Sequence, residues 1–140
     1  MERTQLSPDQ RMLISLATEV RKKAYAPYSK FLVGAAIQCG DGSIYTGCNV
    51  ENAAYGETVC AERTAVVKAI SEGKKQFIRI AVIADFPKPC PPCGSFRQVL
   101  AEFAPKMEVI MANTQGQVTV ANLEQLLPGM FSLDEVLGKK

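Results

Sequence analysis

Apolar positions along the chain recur at two spacings. Leu13, Leu16, Ala17, Val20 and Ala24 fall at helical intervals and share one helix face. Ser7-Pro8-Asp9-Gln10 just ahead reads as a helix start, with Ser7 as N-cap, Pro8 at the first helical position and Gln10 three residues after the cap. Pro27 biases its predecessor away from α, so Tyr25-Ala-Pro-Tyr-Ser29 ends the helix. Residues 31–39 then read as a strand, Gly40-Asp41-Gly42 as a hairpin turn and 43–50 as the return strand. Residues 51–56 form a loop carrying Asn52 and Tyr55.

Helical spacing returns at Ala65, Val66, Ala69 and Ile70, predicting a helix over about 58–72 with Gly73 as its stop. Residues 77–84 are nearly continuously apolar, as in a strand covered on both faces. A proline-rich loop over 85–92 leads to a helix over 94–103 that ends near Pro105. A strand over 107–112, a turn over 113–116 and a short strand over 117–120 follow. Asn122 caps a brief helix to 127, Pro128-Gly129 breaks it, and Ser132-Leu-Asp-Glu135 reads as a second capping box. The order α-β-β-α-β-α-β-β-α implies parallel crossovers through the helices and an antiparallel edge from the early hairpin. The expected fold is α/β, a three-layer α/β/α sandwich around a mixed sheet of about five strands. All 140 residues are expected to form a single domain.

Composition narrows the function. The 47% apolar and 21% charged fractions are ordinary for a globular protein, and a net charge of +2 carries no footprint of a nucleic-acid partner. No apolar run reaches the roughly 20 residues of a membrane span, and Met1-Glu-Arg-Thr-Gln does not open a signal peptide, so a cytoplasmic location is expected. Five cysteines in a reducing compartment read as metal ligands or buried thiols before disulfides. The chain has no histidine, which excludes imidazole bases, Ser-His-Asp and Cys-His nucleophiles and the His-Glu-x-x-His zinc site.

Chemistry concentrates in two stretches. Cys60-Ala61-Glu62 puts a thiol and a carboxylate two positions apart at a helix start. Pro89-Cys90-Pro91-Pro92-Cys93-Gly94 adds two thiols beside another. Cysteines in two clusters, one with Glu at +2, form the pattern of a zinc site that activates water for deamination. Both clusters sit at helix N-termini, whose partial positive charge favours thiolate. Cys39 and Cys48 fall in the hairpin strands and read as buried thiols.

Tyr25-Ala-Pro-Tyr-Ser-Lys-Phe-Leu-Val-Gly-Ala-Ala36, Gly47-Cys-Asn-Val-Glu-Asn52, Cys60-Ala-Glu-Arg-Thr-Ala65, Pro92-Cys-Gly-Ser-Phe-Arg-Gln-Val99 and Leu126-Leu-Pro-Gly-Met-Phe131 together resemble the small homotetrameric zinc-dependent cytidine deaminases, from about residue 7 to 137. The resemblance implies a cytidine deaminase-like fold, a homotetramer with shared active sites and hydrolysis of cytidine or deoxycytidine to the uridine form and ammonia. Cys60 and Cys93 match two zinc ligands, and Glu62 the proton shuttle as zinc-activated water attacks C4. The family's third ligand falls at Phe96, which cannot bind zinc. Either Cys90 supplies the missing thiolate, with the helix beginning earlier across Pro91 and Pro92, or the site keeps two thiolates and binds zinc weakly or differently.

Asn49 and Glu51 match the residues that hold the ribose hydroxyls, and Phe31 the ring beside the pyrimidine. Phe131 matches the aromatic that stacks on the base in a neighbouring subunit's site, Tyr55 a lid residue, and the Ala61 N–H the donor to the base carbonyl. Arg63 and Arg97 are placed to hydrogen-bond sulfur and offset a thiolate-rich zinc; surface ion pairing is the plainer account of both. Beside an ordinary nucleoside deaminase stand a deaminase of modified cytidines or a blasticidin-type nucleoside, and a non-catalytic zinc protein. A tRNA adenosine deaminase is disfavoured by the absent His-Ala-Glu element and the low net charge.

Overall fold

The computed structural model describes residues 5–131 and 137–138. Its elements are α1 (Pro8–Arg21), β1 (Val33–Cys39), β2 (Ile44–Cys48), a 3-10 turn (Tyr55–Glu57), α2 (Ala61–Ser71), β3 (Phe77–Ala84), α3 (Gly94–Phe103), β4 (Glu108–Asn113), β5 (Val118–Asn122) and α4 (Leu123–Leu126). The capping box at Ser132-Leu-Asp-Glu135 lies outside the described residues.

The start of α1 has both halves of a capping box. Ser7 Oγ accepts from the Gln10 N–H at 3.2 Å, and the Ser7 N–H donates to Gln10 Oε1 at 2.8 Å. The helix stops at Arg21, short of the expected end, because the Tyr25 N–H is taken by the Asn49 carbonyl and Tyr25 bridges Val50. α2 likewise starts three residues late: Val59 pairs with Val50 in an antiparallel bridge, which keeps the chain extended up to Cys60. α3 starts at Gly94, so Pro91 and Pro92 precede the helix and the expected early start across them is not found.

The sheet order is β2-β1-β3-β4-β5. β3 and β4 pair in parallel across α3; every other neighbouring pair is antiparallel. The crossover through α2 also joins parallel strands, but β1 lies between them. Alternate strand residues feed opposite layers. Ala35, Ile37, Val82, Ala84, Val109 and Met111 face α2 and α3, whereas Ala36, Ala81, Ile83, Ile110 and Ala112 face α1. Full burial of one Ile or Val side chain contributes about 1.5–3 kcal/mol, so this double-sided stripe dominates stability. No described helix is long and apolar enough to cross a membrane.

Candidate active site

α2 and α3 begin side by side, at the ends of two different connections. Cys60 and Cys93 are their N-caps, both extended (φ −76°, ψ 159° and φ −63°, ψ 155°). α2 is pressed onto the hairpin at Gly47, where a Cβ would stand 2.5 Å from the Ala65 nitrogen and 2.6 Å from the Ala61 oxygen. Thr64 Oγ1 fastens it further, donating to the carbonyls of Cys48 or Cys60 at 3.1 and 3.2 Å. The loop before α3 is tied to the sheet by the Cys90 N–H, which donates to the Ala112 carbonyl at 3.1 Å. Arg97 holds the same loop: Nε donates to the Pro92 carbonyl at 3.2 Å and Nη1 to that of Leu126 at 2.8 Å.

These anchors bring the Cys60 and Cys93 sulfurs to 3.8 Å. Two thiolates about 2.3 Å from one tetrahedral ion stand about 3.8 Å apart, so the pair already has the spacing of a shared zinc. Glu62 completes the group: ligand atoms of Cys60, Glu62 and Cys93 lie within 4.8 Å of one another. The donors fit zinc in type and spacing.

Glu62 is 3% exposed, and the Cys93 N–H donates to its Oε2 at 3.1 Å. Burial raises its carboxyl above the ordinary value, while its own N–H and that of Cys93 pull the other way. Burial, and next the charge of Glu62, push Cys60 up to about 12. The same two causes push Cys90 up to about 11. The thiolate-favouring effect expected of a helix start is present only as the Arg63 N–H opposing that rise at Cys60. Desolvation outweighs it, so a cation is what displaces these thiol protons at neutral pH.

Cys90 does not join the three-residue group. It is buried in the core layer that contains Ala61 and Phe96, and its sulfur faces the Pro91 carbonyl at 3.6 Å. Phe96 is 1% exposed and packs as a core residue. Arg97 was expected at sulfur; its described hydrogen bonds go to carbonyls instead. Arg63 is exposed, and its N–H, not its guanidinium, acts on the Cys60 sulfur.

The other expected residues fall outside the three-residue group. Asn49 is buried and clamps the chain beside Phe31: Nδ2 donates to the Phe31 carbonyl at 2.8 Å, and Oδ1 accepts from the Val33 N–H at 2.9 Å. Phe31 meets Phe86 edge-on, with centroids 6.0 Å apart. Glu51 and Tyr55 line a cavity of about 260 Å³ with Tyr28, Ser29, Asn52 and Thr58. Ala61 opens α2 and is fully buried. Tyr55 (82%) and Phe131 (69%) are among the most exposed large apolar side chains. Sequence reasoning missed Ser29, Phe86 and the Cys93 N–H. Ser29 alone left a signal, a hydroxyl two residues after Pro27 in a turn.

Residues 7–112 match the family model described as the cytidine and deoxycytidylate deaminase zinc-binding region. The chain is 49% identical to the cytidine deaminase of Halalkalibacterium halodurans over 129 residues, covering 91% of this chain and 98% of that protein. It is 48% identical to the cytidine deaminase of Sporosarcina psychrophila, again over 91% of this chain and 95% of the other. Its structure resembles the crystal structure of cytidine deaminase from Burkholderia pseudomallei, with a TM-score of 0.85, 46% identity and coverage of 90% of this chain and 100% of that one.

Proposed function

We propose that this chain, which belongs to the cytidine and deoxycytidylate deaminase family, catalyses the hydrolytic deamination of cytidine and deoxycytidine to their uridine forms and ammonia. The observation that carries this reading is the pair of sulfurs 3.8 Å apart with a buried carboxylate against them. Zinc bound there supplies the Lewis acidity that makes water a nucleophile at neutral pH. Cys60 and Cys93 hold it, with Cys90 as the third thiol. Cys90 is assigned as the remaining thiol of the stretch 89–94 that also carries Cys93.

Glu62 takes one proton from the attacking water and gives it to ring N3, then takes the second from the hydroxyl now on C4 and gives it to the amine as the C4–N bond breaks. Burial suits it to both tasks, because a carboxyl with a raised pKa holds and releases a proton nearer neutrality. The Cys93 N–H keeps Oε2 in place between transfers. The Ala61 N–H meets the base carbonyl, Phe31 flanks the pyrimidine, and Asn49 and Glu51 take the sugar hydroxyls. Arg97 steadies the loop carrying Cys93, and Arg63 offsets thiolate charge from the rim.

The exposed Phe131 and Tyr55 complete the site of a neighbouring subunit as stacking and lid residues, in a homotetramer of single-domain chains. Five free cysteines suit a cytoplasmic enzyme of pyrimidine salvage. The test is zinc content measured together with ammonia release from cytidine. Glu62→Gln keeps zinc and loses turnover by about 10²–10⁴-fold; Cys90→Ser loses zinc and rate together. Zinc-loaded wild type that frees no ammonia from any cytidine would sink the enzyme reading, and Cys90→Ser with full zinc and rate would remove Cys90 from the ligand set.

A further inference from the structure

The cavity lined by Glu51 and Tyr55 contains a hydroxyl with two defined partners. Glu51 Oε1 accepts two backbone N–H groups, from Tyr28 at 3.0 Å and Ser29 at 3.1 Å. Glu51 Oε2 accepts the Ser29 hydroxyl. That same Ser29 Oγ accepts the Phe31 N–H at 3.0 Å. Lys30 makes this possible by taking a left-handed conformation, φ 62°, which turns the chain back between Ser29 and Phe31. A carboxylate offers about four acceptor positions. Three are filled, both on Oε1 and one on Oε2, which leaves a single position on Oε2, and Glu51 lines the cavity with Tyr28, Ser29, Asn52, Tyr55 and Thr58.

We propose that Ser29 is a positioning residue for nucleoside recognition: its hydroxyl orients Glu51 so that one acceptor position is left, matched to one sugar hydroxyl. The inference rests on the proposed role of Glu51 at the sugar. Every partner of the carboxylate is a donor, so Glu51 stays ionised and reads only a donor. The Ser29 hydroxyl and N–H, foremost among the causes, hold Glu51 below the ordinary carboxylate range. A substrate class that includes both cytidine and deoxycytidine shares its 3′- and 5′-hydroxyls but not the 2′-hydroxyl. The position therefore reads one of the shared two, and the 2′-hydroxyl goes unread by Glu51.

Steady-state kinetics of zinc-loaded enzyme on cytidine, 2′-deoxycytidine, 2′,3′-dideoxycytidine and 5′-deoxycytidine test this. Ser29→Ala raises KM about tenfold for cytidine and 2′-deoxycytidine alike, the size of one charge-assisted hydrogen bond, with kcat nearly unchanged. The analogue lacking the hydroxyl that is read shows little change, and Ser29→Thr restores the KM of the others. Ser29→Gly gives the same contrast if Ser29→Ala folds poorly. An equal rise in KM for all four nucleosides, or no rise, overturns the proposal. Glu51→Gln separates the two levels: if it leaves discrimination among the four intact, the sugar role of Glu51 fails. If Glu51→Gln abolishes discrimination while Ser29→Ala does not reduce it, only the role of Ser29 fails.

Discussion

At the scale of single residues, the site is governed by desolvation. Cys60 and Cys90 have folded values of about 12 and about 11 against an ordinary 9.0. The sign follows: a raised value means the fold favours the protonated thiol. Stability from this source is fully present below pH 9 and is lost as pH rises towards 11–12. Zinc-free protein therefore shows a falling Tm across that window, and Cys60→Ala removes part of the slope. Zinc uptake at pH 7 releases about one proton per thiol ligand. Calorimetry in buffers of different ionisation enthalpy should then count about three protons, and about two if Cys90 is not a ligand. The grouping of Cys60, Glu62 and Cys93 was legible in the two cysteine clusters with a Glu at +2 from one of them. The hydrogen-bond partners were not: Arg97 donates to the Leu126 carbonyl and Glu62 accepts from the Cys93 N–H through contacts about thirty residues apart in the chain.

At the scale of elements, Gly47 sets how closely α2 approaches β2. A methyl group there collides with backbone atoms, at 2.5 Å from the Ala65 nitrogen, so the helix itself must move. Gly47→Ala is expected to cost about 1–3 kcal/mol in chemical denaturation. It should also lower kcat, because Cys60 and Glu62 ride on the displaced end. Thr64→Val tests the second fastening: it removes the hydroxyl that reaches Cys48 or Cys60 while keeping the side chain's shape. Phe77–Ala84 and Gly94–Phe103 lie where the sequence put them, since a nearly continuous apolar run and a helical segment bounded by a proline-rich loop and Pro105 are local signals. The ends of α1 and α2 were displaced by the bridges of Val50 with Tyr25 and Val59, pairings that local propensity does not encode.

At the scale of the whole molecule, the order of elements was legible but the place of β1 between β2 and β3 was not, because period-two patterning says which face a residue takes and not which strand is its neighbour. The proposed homotetramer would cover the exposed aromatics Tyr25, Tyr28, Tyr55 and Phe131. Light scattering should give a mass four times that of the chain, and Phe131→Ala should lower kcat/KM at unchanged zinc content and mass. The metal would also act as a clip. Cys60 and Cys93 are 33 positions apart, and the segment between them contains all of β3. Closing that span with one ion removes freedom from the opened chain. Chelation should therefore speed amide exchange in β3 and α3 far more than in the β1–β2 hairpin, so that the same ion that primes the chemistry also decides how often that half of the molecule breathes.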